Sequence, residues 1–219
     1  MDFNAIKTYI PLFVDSLYLT LKIGVIGIII SIIIGMIVSY IQYVKIPFLK
    51  QITSIYIEVS RNTPLLIQLF FIYYALPKIG ISLGAELSGI AGLSFLGGGY
   101  MAETLRSGID AAGQIQYEQS KSLGFNNLQI YIYVLLPQSI ITSSQGIVAN
   151  VIFLLKETSV FSCIGLMDLM FTAKDLIGLY YNTVECLFLL VVFYLIILLP
   201  ISILGTYMER KIRYGTFGN

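Results

Sequence analysis

The 219-residue chain contains no histidine and only two cysteines, and just 11% of its residues are charged. Without histidine there is no His-based metal site, catalytic triad or proton relay. Cys163 and Cys186 form no CxxC motif and match no zinc-ligand spacing, so two buried thiols are expected, with a disulfide between them as the alternative. No Gly-x4-Gly-Lys-Ser/Thr loop occurs, so nothing here is built to cradle ATP phosphates, and any ATP use belongs to another polypeptide. A net charge of +1 leaves no electrostatic footprint for nucleic acid. No nucleophile–base pair stands out, so catalysis is not expected.

What the chain has in abundance is apolar surface: 57% hydrophobic residues and a mean hydropathy of +0.86. A soluble domain of this length has no way to hide that much, so an all-α integral membrane protein is expected. A span needs about 20 apolar residues, and five segments qualify: 17–41, 52–76, 85–109, 128–155 and 182–207. The N-terminal residues lack a basic region followed by a cleavage site, so the first span is expected to be retained. Thr20, Gly24, Gly27, Ser31 and Gly35 recur at helical spacing in the first span, a small-residue face suited to close helix packing. Lys22 is placed to reach the interface. Pro64 perturbs the second span and Pro200 is expected to kink the fifth. Gly97, Gly98 and Gly99 permit close backbone approach in the third. No repeat or linker divides the chain, so residues 1–219 are read as a single domain.

Lysine and arginine placement orients the spans. An outside N-terminus puts Lys45, Lys50, Arg61, Arg106, Lys121, Arg210, Lys211 and Arg213 on the cytoplasmic side, together with the C-terminus. The outer side keeps Lys7, Lys22, Lys78, Lys156 and Lys174.

Polar residues inside apolar spans mark candidate function. Glu103, Arg106 and Asp110 share one helical face. They form either a local ion-pair cluster or part of a pathway. Gln138, Thr142, Gln145, Ala149 and Lys156 follow one stripe of the fourth span, with Asn150 beside it and Glu157 at its end. Between the third and fourth spans, Glu118, Gln119 and Ser120 open a short polar helix that Gly124 is suited to end in the left-handed conformation. Asn126 and Asn127 can cap the helix that follows. The product is a small helix tied rigidly to a spanning one.

Glu118-Gln119-Ser120, Gly124 and Val134-x-Leu136-Pro137 resemble the Glu-Ala-Ala…Gly…Ile-x-Leu-Pro cytoplasmic loop of permease subunits of ATP-binding-cassette importers. Gln119 and Ser120 replace its two alanines. Arg61-Asn-Thr-Pro-Leu-Leu-Ile-Gln68-Leu resembles the Arg-Gly-Thr-Pro-Leu-Leu-x-Gln-Leu block of the polar amino acid branch. Tyr100, Ala102, Glu103, Arg106, Gly108 and Ile109 match another block, and Lys156-Glu157-Thr-Ser is similar to Lys-Asp-Thr-Ser. Leu96 stands where many members carry asparagine.

The resemblance implies a type I importer permease carrying a polar amino acid across a bacterial cytoplasmic membrane. It implies a coupling segment at about residues 112–127, with Glu118, Gln119, Ser120 and Gly124 contacting an ATPase. The substrate pathway would comprise Glu103, Arg106, Gln138, Gln145, Asn150, Glu157 and Gln68. The implied partners are ATPase subunits, a second permease chain (identical or different) and an extracellular or periplasmic substrate-binding protein. ATP and magnesium would sit on the ATPase, and this chain itself would hold no cofactor. An ion-coupled transporter or a non-transporting membrane scaffold are the alternative functions.

Overall fold

The computed structural model describes residues 1–112 and 114–217, except for the side chains of residues 112, 114, 208, 210 and 212–217. The Arg210 and Arg213 side chains therefore lie outside the described residues. The described chain is helical: α1 (Phe3–Val44), α2 (Leu49–Asn62), α3 (Leu65–Phe70), α4 (Ala85–Ala112), α5 (Gln114–Ser122), α6 (Asn127–Ile130), α7 (Leu136–Thr142), α8 (Ser144–Glu157), α9 (Leu169–Tyr180) and α10 (Thr183–Phe217). Three stretches are long and apolar enough to cross a membrane among the described residues: Phe3–Val44, Ser144–Ile164 and Thr183–Tyr207. At 1.5 Å per residue α1 runs about 60 Å, twice the hydrocarbon thickness, so its ends extend beyond any bilayer core.

Prolines set the interruptions. The residue before proline avoids the helical region, so α2 stops at Asn62 and Pro64 caps α3. The expected continuous span over 52–76 is thus two helical pieces. Pro77 and Pro137 lack an N–H and crowd the carbonyl four residues back. Just ahead of each, the ladder widens into π-helical turns, Phe71–Ala75 and Tyr131–Leu135. A further break at Ser143 separates α7 from α8, so the polar stripe expected along one fourth-span helix falls on two. Pro200 lies inside α10, which continues to Phe217.

The residues gather into two compact units. One comprises Met1–Ile29, Thr63–Ser94 and Ile152–Ile201; the other comprises Ile30–Asn62, Phe95–Val151 and Ser202–Asn219. In the first, the small-residue face of α1 does what its spacing predicts: a Cβ on Gly24 would stand 3.0 Å from Leu155, and one on Gly27 2.7 Å from Leu93. Phe13 packs on Phe193 with ring centroids 5.4 Å apart. Lys22 makes a 2.7 Å ion pair with Glu86. Cys186 is buried, but Cys163 is exposed, because it falls on the outer side of the 3-10 turn Thr158–Ile164 whose Phe161 and Ile164 fill the interior. The expectation of two buried thiols fails for Cys163.

Asp168 is fully buried and caps α9, its Oδ1 accepting from the Phe171 N–H at 2.9 Å. Beside it, the Leu169 N–H donates to Thr20 Oγ1 at 3.2 Å. The second carboxylate oxygen of Asp168 is buried without a hydrogen-bond partner. Burial pushes the carboxyl up to about 7, opposed by the backbone donors of Phe171 and Met170 and by Lys174. A folded-state pKa above the unfolded one means that folding favours the protonated acid. The associated stability is complete below about pH 4 and is lost as pH rises through about 7. Thermal or denaturant unfolding in detergent should therefore show stability falling across that window, by at most about 1.4 kcal/mol per pH unit. Asp168→Asn keeps the cap and should flatten the slope; an unchanged slope would rule out Asp168 as its source.

Candidate functional site

The polar helix expected around Glu118 is α5, which begins earlier, at Gln114. Its end is a Schellman motif: Gly124 takes φ 87°, the Gly124 N–H donates to the Lys121 carbonyl at 3.0 Å, and the Phe125 N–H donates to that of Ser120 at 3.2 Å. Asn126 then caps α6 in a reciprocal box, with Asn126 Oδ1 accepting from the Gln129 N–H and Gln129 Oε1 from the Asn126 N–H, both at 2.9 Å. Asn127 is the first helical residue rather than the cap. The Schellman motif ends at Phe125 and the box begins at Asn126, with no residue between them, so the connection has little freedom to swing. Ser120 is buried and donates to the Gln116 carbonyl at 2.7 Å, while Glu118 and Gln119 are exposed.

A tyrosine stack ties this knuckle to α1. The Tyr117 ring on α5 stands edge-on to Tyr43, with centroids 5.9 Å apart. Tyr43 packs on Tyr131 at 6.4 Å, and Tyr131 on Tyr40 at 5.0 Å. The Tyr131 hydroxyl lies 2.7 Å from the Met36 carbonyl and 2.8 Å from Ser39 Oγ. Ile109, Ile130 and Leu135 complete the apolar cluster around these rings. Nothing in the spacing of the tyrosines announces the stack, since they come from three separate segments.

Close backbone approach places the charged face of α4. A Cβ on Gly98 would lie 2.6 Å from Ile34, and Gly99 faces Ser60 of α2. Ser139 on α7 donates to the Leu105 carbonyl at 2.6 Å, and a Cβ on Gly108 would come within 2.6 Å of the Ser139 carbonyl oxygen. The guanidinium of Arg106 is thereby held between Glu103 and Asp110, with 2.8 Å to the latter. Arg61 approaches Glu103 at 3.8 Å and lies over the Tyr100 ring at 5.3 Å. A small cleft of about 110 Å³ opens here, lined by Gln42, Ser54, Ile57, Glu58, Glu103 and Arg106.

The same unit holds Gln138, half-buried, Gln145, exposed, and Asn150, whose amide donates to Thr104 Oγ1 at 2.8 Å. Glu157 and Gln68 belong to the other unit. Gln68 is buried and donates to the Thr63 carbonyl at 2.9 Å, bracing the start of α3. Glu157 is half-buried at the end of α8. Among the described residues no group of histidine, cysteine, aspartate and glutamate is arranged to hold a metal ion.

Residues 27–214 match the family described as binding-protein-dependent transport system inner membrane component. The chain belongs to that family. It is 33% identical over 97% of its length to the arginine transport system permease protein ArtQ of Bacillus subtilis, covering 98% of that protein. It is 34% identical over 75% of its length to the probable glutamine ABC transporter permease protein GlnP of the same organism, again covering 75% of the relative. Among solved structures, an amino acid ABC transporter crystallised with histidines superimposes with a TM-score of 0.86 at 32% identity, covering 96% of this chain and 99% of that one. The MetNI methionine ABC transporter in inward-facing form shares the fold, with a TM-score of 0.79 at 21% identity over 94% of this chain and 98% of that one. Membership makes this an all-helical membrane protein with a transport role rather than a catalytic one.

Sequence reading missed Tyr40, Tyr43, Tyr117 and Tyr131 as a connected group, and Ser139 as the residue that clamps α7 to α4. The signal for Ser139 was faint: a hydroxyl four residues ahead of Ser143, facing a glycine 31 positions earlier in sequence. Gly108→Ala should force the two backbones apart and destabilise the permease by about 1–3 kcal/mol. The expected readout is a lowered thermal midpoint in detergent. Gly178→Ala, with no heavy atom within 4 Å of the new Cβ, should leave the midpoint unchanged or slightly raised.

Proposed function

We propose that this chain is the transmembrane subunit of an ATP-driven importer that carries a polar amino acid across a bacterial cytoplasmic membrane. The observation that carries this reading is the near end-to-end likeness to amino acid permeases, together with the rigid Schellman-and-box knuckle at the loop those permeases use. Residues 1–219 form one permease domain of five spans, with the N-terminus outside and the C-terminus in the cytoplasm, as the lysine and arginine distribution favours. Residues 112–127 are the coupling segment. Its partners are ATPase subunits, which hold ATP and magnesium and perform the hydrolysis, a second permease chain, and a substrate-binding protein outside.

Closure of the ATPase dimer displaces α5 through the exposed Glu118 and Gln119. Gly124 and Asn126 fix the turn, so the displacement passes into the helix that follows instead of being absorbed as bending. The tyrosine stack passes it on to α1. Such a push shifts a conformational equilibrium only through contacts that differ between the two states. At the substrate end, an amino acid presents an ammonium and a carboxylate, which need acceptors and donors respectively. Glu103 offers an acceptor and Arg106 a donor to these groups, and Glu157, Gln138, Gln145, Asn150 and Gln68 are the other residues proposed for the pathway. Leu96, where the family pattern has asparagine, is buried, so the relatives' substrates do not carry over to this chain through that position.

Reconstitution with the partner ATPase tests both ends. Gly124→Pro should abolish substrate-stimulated uptake in proteoliposomes while the chain still folds; retained coupled uptake would refute the role of the knuckle. Tyr117→Ala should lower the amount transported per ATP hydrolysed severalfold, and Tyr117→Phe, which keeps the ring, should not. Glu103→Gln and Glu157→Gln should each weaken apparent substrate affinity about tenfold, the worth of one charge-assisted hydrogen bond. An affinity and selectivity unaltered in both variants would remove these residues from the pathway.

A further inference from the structure

A cavity under the turn that joins α1 to α2 adjoins the Glu103 cleft, sharing Gln42 and Arg106 with it. It encloses about 620 Å³ and is lined by Gln42, Tyr43, Lys45, Lys50, Arg106, Asp110, Tyr117 and Asn127, among others. We propose that this cavity binds the headgroup of an anionic phospholipid, with its acyl chains lying along the apolar residues of the same turn. The proposal rests on the orientation given above, which puts the turn at the cytoplasmic headgroup level, where basic pockets between helices recruit anionic lipids.

Charge is the first argument. Three cations, Lys45, Lys50 and Arg106, face one carboxylate, Asp110. Arg106 is already committed to Glu103 and Asp110. Lys45 and Lys50 make no ion pair among the described residues, so two positive charges stand uncompensated at the cavity wall. A phosphodiester supplies the missing negative charge and several acceptor oxygens. The Tyr43 hydroxyl, buried on the same wall without a hydrogen-bond partner, is a further donor.

Shape and strain separate a lipid from a free anion. Phe48 is 72% exposed, and Leu49 and Ile52 are also exposed, which gives the turn an apolar platform that a dissolved phosphate has no use for. The turn is also held rigidly. Lys45 and Phe48 adopt positive φ of 56° and 66°, costly for residues with a side chain. The Gln42 amide nitrogen braces it, its two N–H groups shared among the Lys50 carbonyl at 3.0 Å, Thr53 Oγ1 at 2.8 Å and Ser54 Oγ at 3.0 Å. The backbone that carries both lysines is therefore held between the cavity and an apolar shelf. Because Tyr43 and Tyr117 also line the cavity, an occupied site bridges the α1–α2 turn and α5.

Native mass spectrometry of the full chain in detergent, titrated with dioleoylphosphatidylglycerol and dioleoylphosphatidylcholine, provides the test. The wild type should retain one phosphatidylglycerol at least about tenfold more tightly than phosphatidylcholine, and Lys45→Gln/Lys50→Gln should remove that preference, in keeping with two basic groups near a lipid phosphate. Lys7→Gln/Lys78→Gln should leave it intact. Circular dichroism checks the fold, and Lys50→Gln alone should give an intermediate loss if the double variant unfolds. Equal retention of the two lipids, an unaffected Lys50→Gln variant, or displacement of the lipid by millimolar inorganic phosphate would each overturn the assignment, the last in favour of a free-anion site. Lipid retention is read without transport. Intact binding with no ATP-driven uptake would count against the importer reading alone, and the reverse result against this site alone.

Discussion

Close contact between α4 and its neighbours is the constraint on which the second unit depends. In a bilayer, helices gain little by leaving lipid for each other, since both surroundings are apolar; what remains is dispersion and hydrogen bonding at short range. Gly35 on α1 meets Met101 of α4, Gly98 and Gly99 on α4 face Ile34 of α1 and Ser60 of α2, Gly108 lets Ser139 reach the Leu105 carbonyl, and Gly146 on α8 faces Thr104, to which Asn150 donates. These contacts run along the stretch of α4 that carries Glu103, Arg106 and Asp110. The charged groups owe their fixed positions to residues with almost no side chain.

The prolines apply a second constraint, because a buried helix in lipid has no water to satisfy the carbonyl groups a proline releases. The chain meets this by widening the ladder ahead of Pro77 and Pro137 into π turns, which keep the neighbouring N–H groups paired with the carbonyls five residues back. The widened turn before Pro137 contains Tyr131 and Leu135, two members of the cluster that receives Tyr117. An interruption in the ladder thus coincides with the place where the α5 knuckle is anchored. A helix that is already irregular there changes shape at lower cost than a straight one.

Much of this was readable in advance, and the failures have physical causes. Local rules worked where the deciding partners are neighbours in sequence: Gly124 as a left-handed stop, asparagine as a cap, and the i, i+3, i+7 alignment of Glu103, Arg106 and Asp110. The small residues of α1 also pack as their spacing suggested, because that spacing is a property of one helix. The continuity of the second and fourth spans was misread, since hydropathy averages across Thr63–Pro64 and Ser143 without registering a broken ladder. Cys163 was misplaced for a related reason: apolar surroundings in sequence do not tell which side of a 3-10 turn faces in. The tyrosine stack was invisible because its members approach only after α1, α5 and the Tyr131 turn are assembled.

The ion-pair network and the knuckle belong to one compact unit, and that placement bears on how a push at one could be felt at the other. Arg106 is shared by Glu103 and Asp110, and Glu103 by Arg106 and Arg61, so each carboxylate or guanidinium has an alternative partner within a short side-chain movement. Such a network offers Arg106 and Glu103 more than one partner each. Asp110 lies one helical turn beyond Arg106 and two residues from the end of α4, on the side from which α5 departs. Ile109, its immediate neighbour, packs in the same cluster as Tyr117 and Tyr131. A shift of α5 that moves Ile109 must also move Asp110, and Arg106 then redistributes between its two carboxylates. An amino acid bringing its own ammonium and carboxylate would compete for the same partners. In the proposed importer, both the motor and the cargo would act on which pairing Arg106 keeps.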